Sequence, residues 1–385
     1  MPVVRRVEGP EVPEVTALLA QTFASPTARI HDWLEGAGLE HVWVVATDQV
    51  AGCLLEIPMG MAVGGRYVPL LGVAGVAVRP EVRGRGVAKA MMAGWLAEAA
   101  RTGTLSGLYA STRTLYRSVG YGLAGTAHRA RMDTGALRGT PVPGWRPVRA
   151  ADWSRIQDRY RELAVHRAGR LDRGPYIWGR VRGPEDAPHD AWCLEQDGRL
   201  AAWIVLKTTR TDGLWMHLEV KDFGADGPEA HRAVLAFLGS FASMTRTLEL
   251  PCGPSEPLLD LLPELVYTQT LLEPWMLRIL DVPRALEGRG WPAWLSTTLD
   301  LWIRDPVLPS NAGRYQVALE GGRASVAVGG EGTFELTPSG LAGLYTGYTS
   351  ARDLSDRGEL VGPVGELDRL TAAFAGPAPG MADFF

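Results

Sequence analysis

The sequence predicts a mixed α/β protein of more than one domain, and three observations carry that reading. Strand-like runs in the first hundred residues lead into a glycine-rich turn, an Ala/Met-rich helix and a further short strand. The same alternation of strand and helix returns beyond a Gly/Pro-dense stretch, GALRGTPVPGWRPV, near 135–150. A third segment, after a break at EGRGWPAW near 285–297, reads as strands followed by helices. Such alternation gives layered α/β architecture, and 385 residues suit two to four domains at roughly 100–200 residues each.

The elements follow in order. Residues 10–23 carry Val12, Val15, Leu18 and Leu19 on one helical face, with Pro10 near the start. Residues 41–47 are β-rich, Asp48-Gln49 make a turn, and Val50–Ile57 form a second strand. Arg66–Pro69 and Leu71–Val78 read as two more, separated at the proline. A helix spans about Val87–Ala100 and a strand Leu105–Tyr109. Beyond 150 come a helix to Ala164, a hairpin turning at Gln196-Asp197-Gly198, a strand at Leu214–Val220 and a helix at Pro228–Ser243. The last segment turns at Asn311-Ala312-Gly313 and Gly321-Gly322. It then forms helices at Thr337–Thr346 and Val364–Phe374.

Composition narrows the function. Lys+Arg is 39 against Asp+Glu 43, a formal charge of -4, so a dedicated nucleic-acid binder is not expected. No apolar run reaches the roughly 18 residues a bilayer span needs, and the N-terminus has no signal-peptide core, so a soluble cytoplasmic protein is expected. The three cysteines, Cys53, Cys193 and Cys252, make no disulfide framework and fit a reducing compartment. The seven histidines show no ligand spacing with carboxylates or thiols, so no metal is implied.

The chemistry-bearing stretch is VAGVAVRPEVRGRGVAKA, Val73–Ala90. A strand ends at Val78, and Arg83-Gly84-Arg85-Gly86-Val87-Ala88 opens the next helix. Glycines let backbone approach a ligand closely. The first helical turn offers unpaired N–H groups at a positive dipole end, and two arginines add charge, which together suit a pyrophosphate. The plain alternative is a glycine-rich turn with two solvated arginines. The spacing meets neither the GxGxxG nor the GK[ST] fingerprint.

Arg83-x-x-Gly86-x-Ala88 after a strand resembles motif A of the GNAT superfamily of N-acetyltransferases. Leu115–Gly122 resembles that superfamily's Tyr-x-x-x-Gly-[Phe/Tyr] segment. Over nearly the whole chain the sequence is similar to the Eis (enhanced intracellular survival) family. The Gly-Tyr-Gly ending at Gly120–Gly122, the run Trp275–Leu286 and the final segment with Asn311, Gly313 and Leu341–Gly347 carry that similarity. The resemblance implies two tandem GNAT-like domains, at 1–140 and a degenerate one at 141–290. A sterol-carrier-protein-like domain at 291–385 would then bring the C-terminal carboxylate into the active site.

It also implies roles. Tyr116 would be the general acid for the departing CoA thiolate, a phenol of pKa about 10 against about 8.5 for a thiol; the other reading is a core tyrosine. Tyr109 and Tyr121 are competing hydroxyls. The base would be the C-terminal carboxylate of Phe385, on a semi-extended spacer Gly376–Gly380; otherwise Phe384-Phe385 is only an aromatic anchor. The backbone of Val76, Ala77 and Val78 would hold pantetheine, and Arg83, Gly84, Arg85, Gly86, Val87 and Ala88 the pyrophosphate of acetyl-CoA. His31, Asp32, Trp33, Glu35, Glu56 and Asp383 are candidates to line an amine pocket; for the charges in residues 28–40 the alternative is a solvated helix face. Ser25-Pro26-Thr27 carries no charge, which speaks against a polycationic aminoglycoside preference. No G-x-S-x-G-type nucleophile is present, favouring direct amine attack in a ternary complex. The expected activity is acetyl transfer from acetyl-CoA to a primary amine of a small molecule or a lysine side chain, in a homohexamer built as a dimer of trimers. The alternatives are a lipid or sterol carrier and an acyl-CoA-sensing protein with a relic fold.

Overall fold

The computed structural model describes residues 3–46, 49–137, 139–211 and 213–385. Thr47 and Asp48, at the first expected turn, lie outside them. The chain folds into two compact units that do not follow sequence order. The first contains the residues up to Gly125 with Pro274–Pro377 and Phe384–Phe385, the second Thr126–Glu273 with Ala378–Asp383. No helix among the described residues is long and apolar enough to cross a membrane.

The first unit opens with β1 (Val3–Arg6), α1 (Val12–Thr22), α2 (Thr27–Ala37), β2 (Val42–Ala46), β3 (Val50–Val63) and β4 (Arg66–Val78). Then come α3 (Val87–Ala99), β5 (Leu105–Tyr109), α4 (Arg113–Arg117) and the start of β6 (Gly122–Asp133), which belongs to the second unit from Thr126. Strands β1 to β5 lie side by side in that order, antiparallel except for the parallel pair β4 and β5. The expected break at Pro69 does not occur: β4 is one 13-residue strand. Its partner β5 begins pairing only at Leu70, so the edge at Pro69 is still open, where a missing N–H breaks no ladder bond. Helix α3 buries Met91, Met92, Trp95, Leu96 and Ala99 against Val45, Leu54, Val73 and Leu108 of the sheet. Its apolar residues recur at helical spacing, which is why this element was legible.

The next neighbour of β5 comes from far along the chain. Trp275–Ile279 pairs antiparallel with Leu105–Tyr109. A Cβ on Gly125 would lie 2.5 Å from the Trp275 ring, so the bare glycine makes room for it. The rest of the first unit is a five-stranded sheet built on Thr297–Ile303, Gly313–Glu320 and Arg323–Val328. Tyr315, Val317 and Leu319 alternate inward along one strand, the period of two that a one-faced sheet requires. Helices Pro338–Tyr345 and Leu367–Phe374 bury Leu341, Leu344, Leu370 and Phe374. The buried Arg289 ties this region together, donating to the carbonyls of Gly290, Tyr345 and Phe374. Burial lowers its pKa to about 10, so it stays charged at neutral pH.

The second unit repeats part of this plan. Hairpin Asp190–Gln196 and Arg199–Arg210 turns at Asp197 and Gly198, both left-handed, as the sequence predicts. Strands Met216–Ala225 and Thr245–Cys252 pair in parallel only over Met216–Glu219 and Thr245–Glu249, with helix Gly227–Gly239 between them. This helix is preceded by Asp226 and begins Gly227-Pro228-Glu229. Proline removes an amide donor and the carboxylates repel phosphate, so this copy has no phosphate-binding turn.

Candidate active site

The site begins where two strands part. β4 and β5 pair only at Leu70–Leu105, Leu71–Ser106 and Gly72–Gly107. β4 continues to Val78 and β5 to Tyr109, so from Val73 onward no strand among the described residues pairs with β4 on that edge. On its other edge the ladder to β3 skips. Cys53 faces Ala77 and Leu55 faces Ala74, crowding Gly75 and Val76 opposite Leu54. Gly75 takes φ +58°, which a bulge of this kind asks of its residue. The open edge at Val76–Val78 presents backbone groups to which an extended, amide-bearing arm adds like a strand. Sequence reasoning reached these three residues through the resemblance and had no signal for the bulge.

Beyond β4 the chain reaches the turn Arg83–Gly86, exposed throughout. Gly84 and Gly86 are left-handed, with φ +75° and +79°. Gly86 is the N-cap of α3, and the first helical bond is Ala90 N–H to the Gly86 carbonyl. The amides of Val87, Ala88 and Lys89 therefore have no intrahelical acceptor. Arg83 Nε donates to the Val78 carbonyl at 3.0 Å, tying the turn to the end of the strand. Lys89, exposed in the same first turn, adds a cation that the motif reading did not single out. A Cβ on Gly86 would meet no protein atom within 4 Å. Gly86→Val therefore projects its side chain into the open groove and strains a left-handed residue by about 1–2 kcal/mol. CoA affinity is expected to collapse in calorimetry while the melting curve stays cooperative; unaltered binding would remove this turn from the CoA site.

Tyr116 sits on α4, buried at 4% exposure, its ring edge-on to Tyr121 with centroids 6.0 Å apart. Burial raises its pKa to about 12. The Tyr121 hydroxyl is already engaged with Ser106 Oγ at 2.7 Å, which leaves Tyr116 as the better-placed proton donor of the two. The loop after Tyr116 is held from below: Arg278 Nε donates to the Val119 carbonyl at 3.1 Å, and its Nη2 holds Asp305 at 2.6 and 2.7 Å. Arg278 lies 162 positions beyond Tyr116 in the chain, so no local pattern announces the contact.

The last residue lies at the strand parting. Phe385 is buried at 6% exposure, and a Cβ on Gly72 would fall 2.8 Å from its ring. Phe384 stacks on Tyr109 at 4.6 Å and Phe385 tilts against the same ring at 5.6 Å. Burying one Phe is worth about 1.5–3 kcal/mol, and each aromatic pair about 0.5–1.5 kcal/mol more. The terminus is thereby anchored beside Gly72, the last paired residue of β4. Tyr109, one of the competing hydroxyls, is the platform for these rings.

The remaining candidates separate. Trp33 packs edge-on to Phe23 at 6.0 Å and lies 3.1 Å from where a Gly75 Cβ would stand, so it borders the bulge. His31, Asp32 and Glu35 are exposed on α2, His31 lying 3.5 Å from Glu35 one turn away. Glu56 is buried, its oxygens accepting from Trp43 Nε1, Trp95 Nε1 and Arg6. It lines a cleft of about 440 Å³ with Leu70, Leu71 and Thr104, but its carboxylate is occupied by those donors. Asp383 belongs to the second unit and pairs with Arg173 there. Among the described residues no three His, Cys, Asp or Glu side chains gather as a metal site would need.

Three comparisons fit this arrangement. The acetyltransferase (GNAT) domain family matches residues 3–124, a second acetyltransferase (GNAT) domain family matches 169–279, and the sterol carrier protein domain family matches 282–382. The chain is 29% identical over 363 residues to the N-acetyltransferase Eis of Mycobacterium bovis, covering 88% of this chain and 86% of that one. It is 30% identical over 326 residues to an uncharacterized N-acetyltransferase of Streptomyces griseus, covering 77% and 76%. The crystal structure of a GCN5-related N-acetyltransferase from Anabaena variabilis superposes with a TM-score of 0.93 at 30% identity, covering 99% of each chain.

Proposed function

This chain belongs to the Eis-type N-acetyltransferases of the GNAT superfamily and uses acetyl-CoA, and we propose that it acetylates a primary amine by direct attack, with Tyr116 as acid and the Phe385 carboxylate as base. The observation that carries the reading is Phe385 seated against Gly72, where β4 and β5 part. The open edge of Val76–Val78 receives the pantetheine arm. The turn Arg83–Ala88 and Lys89 hold the pyrophosphate. Near Trp33 the acceptor enters as an ammonium. The terminal carboxylate takes its proton, directly or through water. The freed nitrogen forms a C–N bond at the thioester carbonyl. Collapse breaks the C–S bond, the thiolate takes the Tyr116 proton, the nitrogen gives its second proton to water, and the neutral amide and free CoA depart. Solvent exchange returns the proton from the carboxyl to the tyrosinate.

Within this reading the chain divides near 140 and 290, and the enzyme works in the cytoplasm as a homohexamer of two trimers. Light scattering at micromolar concentration is expected to give six times the 41.6 kDa chain mass; a monomer alone would contradict it. The acceptor is a small-molecule amine or a lysine side chain. Its test is thiol release from acetyl-CoA across a panel of amines and lysine peptides. Release with at least one class is expected, and none with any acceptor would overturn the catalytic reading.

A further inference from the structure

Six residues before the chain ends, its tail becomes fixed residue by residue within the second unit. Pro379 O accepts from Thr126 N–H, Gly380 N–H donates to Ala168 O, and Met381 N–H donates to Thr126 O. The last fastening is ionic. Arg173 grips the Asp383 carboxylate side-on, Nε to Oδ2 at 3.1 Å and Nη2 to Oδ1 at 2.9 Å. Arg173 is itself fixed. Its Nη2 also reaches Asp222 Oδ1 at 2.8 Å, and Asp222 accepts from Trp203 Nε1 at 2.8 Å. Its guanidinium lies over the rings of Tyr160 and Trp178, 3.9 and 4.8 Å from their centroids. The side chains of Arg173, Asp222 and Asp383 are 1%, 4% and 7% exposed.

One guanidinium facing two buried carboxylates is a costly way to stabilise a fold. Replacing buried ion pairs by apolar groups of similar volume is often neutral or favourable. Apolar packing, as at the neighbouring buried Met381, would hold the tail equally well against unfolding. A forked ion pair adds geometric definition, because two parallel N–H···O bonds fix both the distance and the plane of the carboxylate. Asp383 stands two residues before Phe385, so its position limits where the terminal carboxylate can fall, at roughly 3.5 Å of chain per residue.

We infer that Arg173 and Asp383 are positioning residues for acetyl transfer: the buried Arg173–Asp383 fork, set by Asp222, sits two residues from the C-terminal carboxylate and fixes its reach. The inference rests on the carboxylate reading given above. The two are separable, because a positioning residue loses its effect once the group it positions is gone.

The test is a double-mutant cycle on the full chain. Asp383→Asn keeps the shape and removes the charge. Asp152→Asn is the comparison: Asp152 is a largely buried partner of Arg146 in the same unit, and it accepts from Arg146 and from the Arg149 N–H. Both are expected to lower the melting temperature. Only Asp383→Asn is expected to lower kcat, by about 10- to 100-fold, since a misplacement of about 1 Å can cost 10²-fold. The KM for acetyl-CoA should stay within about twofold, as binding of the donor is not at stake. In an enzyme carrying a short C-terminal extension, Asp383→Asn should cost nothing further. Should it fail to fold, Arg173→Lys keeps the charge without the fork and is expected to give the same split. Equal kcat for Asp383→Asn and Asp152→Asn would reduce the fork to a structural pair and overturn the inference. So would a kcat loss that is fully additive with the extension, and that result leaves the carboxylate reading standing. A fully active extended enzyme removes the carboxylate reading itself, and this inference with it.

Discussion

Tyr116→Phe is expected to lower kcat by about 10²–10⁴-fold, the usual cost of losing a general acid, while the KM for acetyl-CoA changes little. The substitution keeps the buried ring and its edge-on contact with Tyr121 and removes only the hydroxyl. Stability should change little. The pH dependence gives a second check, and its sign follows from burial. The acid must carry its proton to work. Burial raises the Tyr116 pKa from 10.0 to about 12, so the proton is retained across the neutral and mildly alkaline range and lost only as pH approaches that value. Turnover of the unmodified enzyme should therefore show no alkaline fall belonging to Tyr116 below about pH 11. Stopped-flow or steady-state kcat profiles for the two proteins decide it. An unchanged kcat in Tyr116→Phe would move the role to water. An alkaline fall centred near pH 9 that vanishes in the variant would contradict the raised pKa.

The parts of this candidate site that sequence reasoning proposed from the residues themselves share one property: their causes are local. Gly84 and Gly86 must be left-handed for the chain to turn into α3, and a short motif reports that. The apolar spacing of Met91, Met92, Trp95 and Leu96 reports the buried face of the same helix. What sequence reasoning missed has non-local causes. The parting of β4 from β5 depends on a three-residue parallel pairing between strands separated by a helix. The strand Trp275–Ile279 beside β5, and Arg278 beneath Val119, are set by contacts across some 160 residues of chain. Pro69 was read as a strand end because the rule against central proline assumes partners on both edges, and here one edge is open. Glu56 and Asp383 read from the sequence only as candidates to line an amine pocket. Composition cannot show that two tryptophans and an arginine occupy the first, and that a buried arginine holds the second.

The C-terminal residue gives the other large expected effect, and it separates a working carboxylate from an inert anchor. A short C-terminal extension leaves both phenylalanine rings in the sequence but turns the terminal carboxylate into a neutral amide and moves the charge away. Deleting Phe385 leaves a carboxylate on Phe384, displaced by roughly 3.5 Å along an extended chain. It also removes the ring that packs on Gly72 and Tyr109. Each change is expected to reduce kcat by at least about 10²-fold, because a reacting group misplaced by about 1 Å already costs that much. CoA binding should hold, since the turn Arg83–Ala88 and the edge of Val76–Val78 are untouched. Phe385→Leu keeps the carboxylate, loses the aromatic contact with Tyr109, worth about 0.5–1.5 kcal/mol, and should cost no more than about tenfold. If the tail is only an anchor, the order reverses: Phe385→Leu hurts, and the extension is tolerated as long as Phe384 and Phe385 still pack on Tyr109. Measuring kcat, CoA affinity and melting temperature for the three proteins therefore decides between the readings, and an extended enzyme with full activity ends the carboxylate mechanism.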